Sequence, residues 1–346
     1  MLEASYQPYK LIFKTPGGTS RGVLTEKPSW FISVWDQAAP SVRGIGECPI
    51  LPKLSPDDLP DIETKIEWAC KNIDSLKKDF FNALAQWPAI RFAVETALTD
   101  LENGGNRILY PSSFTRGETG IPINGLIWMG TPKEMNRQIK EKLRAGFSCL
   151  KMKIGAVDFE EEYKILKKLR AEFSSRELEL RVDANGAFLP DEASSILERL
   201  ASLDIHSIEQ PVKAGQWQEM AKLCESPPLP VALDEELIGI NNEAEKERMA
   251  VTIKPQYIIL KPGLTGGFRA SEEWIKIAEK HNAGWWITSA LESNVGLNAI
   301  AQWTATLNTN MHQGLGTGQV FSNNTDSELV IKNGQLWIKQ KEEMRG

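Results

Sequence analysis

From about residue 121 onward the chain repeats one pattern of apolar and polar positions. Short apolar runs of β character recur, each with polar residues at or near its C-terminal end. They are IPINGLIW (121–128), SCLKMKIG (148–155), LELRVDANG (178–186), SIEQPV (207–212), PVALDEEL (230–237), YIILKPG (257–263), GWWITSAL (284–291) and HQGLGTGQVF (312–321). Their starts lie 23 to 30 residues apart, the length of one strand, one helix and two short loops. In the gaps the apolar period changes to three or four. Phe159, Tyr163, Leu166, Leu169 and Phe173 mark one helix. Ile196, Leu197 and Leu200, behind a capping Asp191, mark a second. Trp274, Ile275, Ile277 and Ala278 mark a third, and Leu297, Ile300, Ala301 and Trp303 a fourth. Eight alternations of strand and helix predict an α/β fold of the (β/α)8-type TIM barrel. An open doubly wound sheet competes with it. Such a sheet usually has fewer strands and often a glycine-rich phosphate loop, and no G-x-G-x-x-G follows the first strand here.

The first part of the chain reads differently. Two strand-like runs, YKLIFK (9–14) and WFISVWD (30–36), flank a glycine-rich loop at 15–22. Two helical patterns follow: Ile62, Ile66, Ala69, Ile73 and Leu76, then Ile90, Ala93, Val94, Ala97, Leu98 and Leu101. Strands followed by helices predict an N-terminal α+β capping domain over 1–118. The barrel then occupies 119–321. The segment 322–346, with strand character over 328–338 and an Asn-Gly hairpin signal, is expected to pack back on the cap.

Composition narrows the function classes. The chain has 346 residues and a formal net charge of −6, which argues against nucleic acid or anionic membrane as a partner. No apolar run approaches the length of a membrane span. The start, MLEASYQPYK, lacks a charged region followed by an apolar stretch, so no signal peptide is expected. Cys48, Cys70, Cys149 and Cys224 form no C-x-x-C pair, and with three histidines they suggest no zinc cluster by spacing. Reduced, buried thiols in a cytoplasmic protein are expected, with a small-molecule carboxylate as substrate and homo-oligomerisation left open.

The strand ends carry the chemistry. Active sites of such barrels lie at the C-terminal ends of the strands. There the second run offers Lys151 and Lys153, the third Asp183, the fourth Glu209, the fifth Asp234, Glu235 and Glu236, and the sixth Lys261. Three carboxylates in one partly dry mouth repel, and one would protonate unless a cation neutralised them. An all-oxygen set suits Mg²⁺, with Mn²⁺ as a substitute. Lys151 and Lys153, two apart, share one strand face, and Lys261 approaches from the far side. A cation held between lysines suits removal of a proton α to a carboxylate.

In order along the chain, K-M-K at 151–153, V-D-A-N-G at 182–186, I-E-Q-P at 208–211, L-D-E at 233–235 and L-K-P-G at 260–263 resemble the muconate-lactonising-enzyme subgroup of the enolase superfamily. The segment G-I-G-E-C-P at 44–49 is similar to part of that family's cap. The resemblance implies that Asp183, Glu209 and Asp234 ligate Mg²⁺, and that Lys153 is the base on one substrate face with Lys151 tuning it. It places Lys261 on the opposite face, and Asn185 and Glu235 behind the ligands.

T-S-A-L-E-S-N-V-G at 288–296 and G-T-S-R-G-V-L at 18–24 further resemble the o-succinylbenzoate synthases. These imply a Mg-dependent syn dehydration of a cyclohexadiene carboxylate in menaquinone biosynthesis. They also make Arg21, Ser289, Leu291 and Glu292 candidate substrate contacts. N-acylamino acid racemases and dipeptide epimerases, which resemble the chain in the same metal triad and lysines, are the alternative, with a cycloisomerase behind them. A non-catalytic barrel that only binds is the reading from another class; loss of a ligand or lysine would signal it, and none is lost. His206, His281 and His312 are expected to be structural.

Overall fold

The computed structural model describes residues 1–19, 22–155, 158–307 and 309–339. The cap begins with β1 (Leu2–Thr19), β2 (Gly22–Asp36) and β3 (Arg43–Pro49), an antiparallel sheet in that order. Of the glycine-rich stretch expected as a loop, residues 15–19 and 22 belong instead to the far ends of the long strands β1 and β2. Pairing runs from Leu2 with Asp36 to Ile12 with Glu26, slips, and resumes from Gly17 with Leu24 to Thr19 with Gly22. Pro16, which has no N–H for a ladder, falls within the slip, where none is needed. Three helices follow: α1 (Ile62–Lys71), α2 (Ile73–Ala83) and α3 (Pro88–Glu102). Their periodic residues, among them Ile66, Ile73, Leu76, Ile90, Ala93 and Ala97, bury against Ile32 and Val34 of β2.

The glycines of the G-I-G segment have a steric cause. A Cβ at Gly44 would stand 2.0 Å from the Ala97 carbonyl oxygen, and one at Gly46 2.0 Å from that of Ala93. Only glycine lets α3 lie that close to β3.

The barrel sheet is parallel, its strands adjacent in chain order: β5 (Gly125–Ile127), β6 (Cys149–Lys153), β7 (Glu179–Asp183), β8 (Ser207–Glu209), β9 (Val231–Leu233), β10 (Tyr257–Leu260) and β11 (Gly284–Ile287). After them come α4 (Pro132–Arg144), α5 (Phe159–Glu172), α6 (Pro190–Ala201), α7 (Trp217–Glu225), α8 (Glu243–Ile253), the short α9 (Pro262–Thr265) with α10 (Phe268–Lys280), and α11 (Asn294–Thr306). The eighth strand is reduced to Gln313 and Gly314, which join the two sheet edges. Gln313 N–H donates to the Pro122 carbonyl at 2.9 Å and Gly314 N–H to that of Ile287 at 2.7 Å.

The eighth alternation departs from the expected pattern. Among the described residues no helix follows Gly314. The chain there carries Gly314, Gly316, Gly318, Asn323 and Asn324, all poor helix formers. The C-terminal segment also divides its contacts. Asn323 meets the cap, taking the Ile12 N–H at 2.8 Å and giving its amide to the Lys10 carbonyl at 2.7 Å. The hairpin of β12 (Leu329–Lys332) and β13 (Gln335–Ile338) pairs instead with β4 (Ile121–Pro122), beside the barrel's first strand.

Cap and barrel are joined through helix starts. Glu47 on β3 accepts from Ser293 N–H (2.9 Å), Ser293 Oγ–H (2.6 Å) and Gly296 N–H (3.0 Å), at the beginning of α11. Glu95 on α3 accepts from Phe268 N–H (2.6 Å) and Arg269 N–H (3.1 Å), at the beginning of α10. The cap thus supplies the carboxyl acceptors that the first N–H groups of two barrel helices lack. Among the described residues no helix is long and apolar enough to cross a membrane.

Replacing Gly46 by alanine drives a methyl into the α3 backbone. We expect a loss of about 1–3 kcal/mol, read from the denaturant midpoint; an unchanged midpoint would show that the close approach is not required.

Candidate active site

Strand alternation decides what the barrel mouth contains. Leu150 and Met152, Leu180 and Val182, Ile208, Val231 and Leu233, Ile258 and Leu260, and Ile287 pack outward in the main core against the helices. Their neighbours therefore point inward. These are Lys151 and Lys153, Arg181 and Asp183, Ser207 and Glu209, Ala232 and Asp234, Ile259 and Lys261, and Trp286 and Thr288. Parallel pairing sets three of them in one row: Lys153 is registered with Asp183, and Asp183 with Glu209.

The row is densely bonded. Lys151 Nζ donates to Asp183 Oδ2 at 3.0 Å and to Glu209 Oε2 at 2.6 Å. Lys153 Nζ donates to the same Asp183 oxygen at 3.0 Å and to Asn185 Oδ1 at 2.5 Å. From the opposite wall Lys261 donates to Asp234. Asn185 passes its amide on to Glu235 Oε1 at 3.0 Å. Lys151, Lys153, Lys261, Asp183, Glu209 and Asp234 are all nearly buried.

The electrostatics follow from this packing. Burial opposes ionisation of Asp183, but the ammonium charges of Lys151, Lys153 and Lys261 outweigh it and hold its carboxyl well below the usual range. Burial, then the charge of Asp183, pushes Glu209 up to about 8 despite Lys151. Burial lowers Lys151 and Lys261, yet Asp183 and Glu209 raise the first and Asp234 raises the second beyond that loss. Glu209 Oε1 is buried and, among the described residues, has no hydrogen-bond partner. An orphaned carboxylate oxygen beside two further carboxylates is the donor chemistry a hard divalent cation takes, so the residues fit such a group.

A cavity of about 230 Å³ opens over this floor. Lys151, Lys153, Asp183, Asn185 and Lys261 line its base, and Leu126, Trp128 and Leu291 line its walls. The cap covers it with Val23 and Leu24 from the β1–β2 hairpin and with residues 51–54 from the loop after β3. Of the candidate substrate contacts, Ser289 and Leu291 line this cavity. Ser289 shares a hydrogen bond of 2.5 Å with Thr317. Arg21 lies outside the described residues.

Glu292 is elsewhere. Fully buried, it accepts the Ala290 N–H at 2.8 Å through Oε2, while among the described residues Oε1 has no hydrogen-bond partner. Its charged neighbours are Glu47 and Lys27 of the cap. Lys27 Nζ donates to Ser29 Oγ at 3.1 Å, and Ser29 Oγ–H to Glu47 Oε1 at 2.8 Å. Glu292 therefore belongs to the cap–barrel joint and not to the cavity lining. Burial and the charge of Glu47 push its carboxyl up to about 7.

Two residues went unassigned in the sequence. Gln210, buried with a left-handed backbone (φ 41°), accepts the N–H groups of Asp234 at 3.2 Å and Glu236 at 3.3 Å through Oε1. Its amide donates to Glu236 Oε2 at 3.0 Å. Together they hold the turn that carries Asp234. The motif I-E-Q-P contained the signal, since a polar residue next to a strand-end ligand must bond something.

At the other end of the barrel the fold gathers Cys149, Glu179 and His312, one ligand-type atom of each within 4.8 Å of the others. No chain spacing hinted at this. Arg181 Nε already donates to Glu179 Oε1 at 2.6 Å, and burial holds the Cys149 thiol well above its usual range. A carboxylate neutralised by a guanidinium beside a protonated thiol is a structural cluster, so no cation is assigned to it.

Comparison with known proteins matches this architecture. Residues 134–342 fit the family described as enolase C-terminal domain-like. The chain belongs to that family. It is 46% identical to the o-succinylbenzoate synthase of Desulfotalea psychrophila, an alignment covering 97% of this chain and 99% of that protein. A crystal structure of MenC from Desulfotalea psychrophila LSv54 superposes with a TM-score of 0.85 at 43% identity, over 97% of this chain and 99% of that one. A dipeptide epimerase from Enterococcus faecalis V583, complexed with Mg and the dipeptide L-Leu-L-Tyr, superposes with a TM-score of 0.83 at 18% identity. That superposition covers 97% and 96% of the two chains and bears on the fold alone. The expected family and α/β fold class therefore hold.

The joint yields a pH prediction. Between the ordinary Glu pKa and about 7, the folded chain keeps a proton on Glu292 that the unfolded chain releases. Folding therefore loses stability as pH rises through that window, by up to about 3 kcal/mol. Glu292→Gln should flatten the fall in unfolding free energy between pH 5 and 8. Parallel curves for variant and wild type would contradict the assignment.

Proposed function

We propose that this chain is an o-succinylbenzoate synthase. It dehydrates 2-succinyl-6-hydroxy-2,4-cyclohexadiene-1-carboxylate, in the syn sense, to o-succinylbenzoate, a cytoplasmic step of menaquinone biosynthesis. One observation carries the reading: a buried carboxylate trio flanked by lysines on opposite walls, in a chain 46% identical over 97% of its length to a protein of that name. Asp183, Glu209 and Asp234 would hold Mg²⁺, or Mn²⁺ in its place. The cation, when bound, supplies positive charge to the substrate carboxylate as negative charge builds up there.

The chain's own groups do the rest. Lys153, as the free amine, takes the α-proton onto Nζ, and the C–H electron pair moves into the adjoining carboxylate. The carbon–oxygen bond to the ring hydroxyl then breaks. The Lys153 ammonium, on the same face, returns the proton to the departing hydroxide, and water leaves. Syn geometry follows from one lysine serving both steps. Lys261 stays protonated beneath the opposite face and stabilises the anionic intermediate and the ring. Asn185, bonded to Lys153 and Glu235, keeps the base aimed.

Three measurements check this. The wild type with Mg²⁺ should turn over the cyclohexadiene at a kcat/KM of about 10⁵ M⁻¹s⁻¹ and lose activity with EDTA. Turnover of N-succinyl amino acids or dipeptides alone would make it a racemase or epimerase. Lys153→Ala should lower kcat by at least about 10³-fold with an unchanged circular dichroism spectrum; substantial residual turnover refutes the base assignment. Lys261→Arg keeps the charge but removes a second base. It should spare part of the dehydration and eliminate any racemisation, and equal loss of both would count against separate roles.

A further inference from the structure

We propose that Lys53, on the cap loop after β3, is the specificity residue that reads the distal carboxylate of the substrate. The inference rests on the synthase reading above. The charged residues lining the cavity are Lys53, Lys151, Lys153, Asp183 and Lys261. The last four come from the barrel floor, where each lysine is paired with a carboxylate. Among the described residues Lys53 is the one charged lining residue that comes from the cap, and its ammonium has no ion-pair partner there.

The loop that carries it is built to hold one shape. Lys53 has a left-handed backbone (φ 65°), which disfavours a residue with a side chain. Its N–H donates to Asp58 Oδ2 at 2.7 Å. Ser55 closes the turn on both sides, giving its N–H to the Leu51 carbonyl and accepting the Leu51 N–H at Oγ, each at 2.9 Å. Buried Asp57 accepts the Ala89 and Ile90 N–H groups at 3.1 and 3.2 Å, tying the loop to the start of α3. The backbone of a lysine is thus anchored at the rim of a mainly apolar wall formed by Leu51, Leu54, Val23 and Leu24, with its side chain exposed.

The substrate chemistry matches this layout. The proposed substrate has two carboxylates at opposite ends. The ring carboxylate belongs at the floor, next to the α-carbon that reacts. The succinyl tail leads its ketone and methylenes along the wall and ends in a second anion. An anion left without a counter-charge against an apolar wall is costly, and a rim lysine on a flexible stem meets it. A substrate with a neutral tail makes no use of Lys53.

The test pairs kinetics with product binding. Lys53→Ala should raise KM for the cyclohexadiene about ten-fold and leave kcat within about two-fold, Lys53→Arg should restore KM, and Lys53→Glu should raise it further. By calorimetry with Mg²⁺, the wild type should bind o-succinylbenzoate about ten-fold more tightly than o-butanoylbenzoate, which has a methyl group in place of the distal carboxylate. Lys53→Ala should erase that preference and leave o-butanoylbenzoate binding unchanged. An unchanged KM, equal weakening of both ligands, or failure of arginine to rescue overturns the role of Lys53 while the synthase reading stands. Absence of wild-type turnover of the cyclohexadiene overturns the synthase reading, and this inference with it.

Discussion

Three carboxylates on adjacent strand ends repel one another, and the charged architecture of the barrel mouth answers that repulsion. Parallel pairing sets Asp183 beside Glu209, and Asp234 follows on the next strand. At an effective dielectric of about 20, two unit charges 4 Å apart interact with about 4 kcal/mol, comparable to much of a domain's net stability. Lys151 and Lys153 from one side and Lys261 from the other offset this. The proposed function would use the same lysines to move protons, so the groups that make the site tolerable would also make it reactive.

The cap solves a different problem for the barrel. Glu47 and Glu95 accept the first N–H groups of α11 and α10, so the cap's position and the barrel's helix starts are one structural unit. The loop after β3 and the β1–β2 hairpin hang from that unit over the cavity. The strands supply the charged floor of the cavity, and the cap supplies its rim.

Much of this was legible in the chain because it depends on local periodicity. The i, i+2 spacing of Lys151 and Lys153 placed both on one strand face, and the polar ends of successive apolar runs located the mouth. What escaped depends on contacts between distant segments. Glu292 became a candidate substrate contact because the segment 288–296 resembles that of the o-succinylbenzoate synthases, yet its surroundings are made by Lys27 and Glu47, far earlier in the chain. The run at 312–321 read as a full strand, but only Gln313 and Gly314 join the sheet edges, and although the Asn-Gly signal marked the C-terminal hairpin, no local pattern announced that it would pair with β4. The cluster of Cys149, Glu179, Arg181 and His312 likewise exists only once the barrel closes.

Calorimetric titration of Mg²⁺ into the wild type and into Glu209→Gln tests the central claim without relying on turnover. The account predicts one Mg²⁺ per chain in the wild type and binding at least about ten-fold weaker in the variant, because a hard cation loses a carboxylate ligand. Equal affinity in the two proteins, or no saturable Mg²⁺ binding in the wild type, would contradict it.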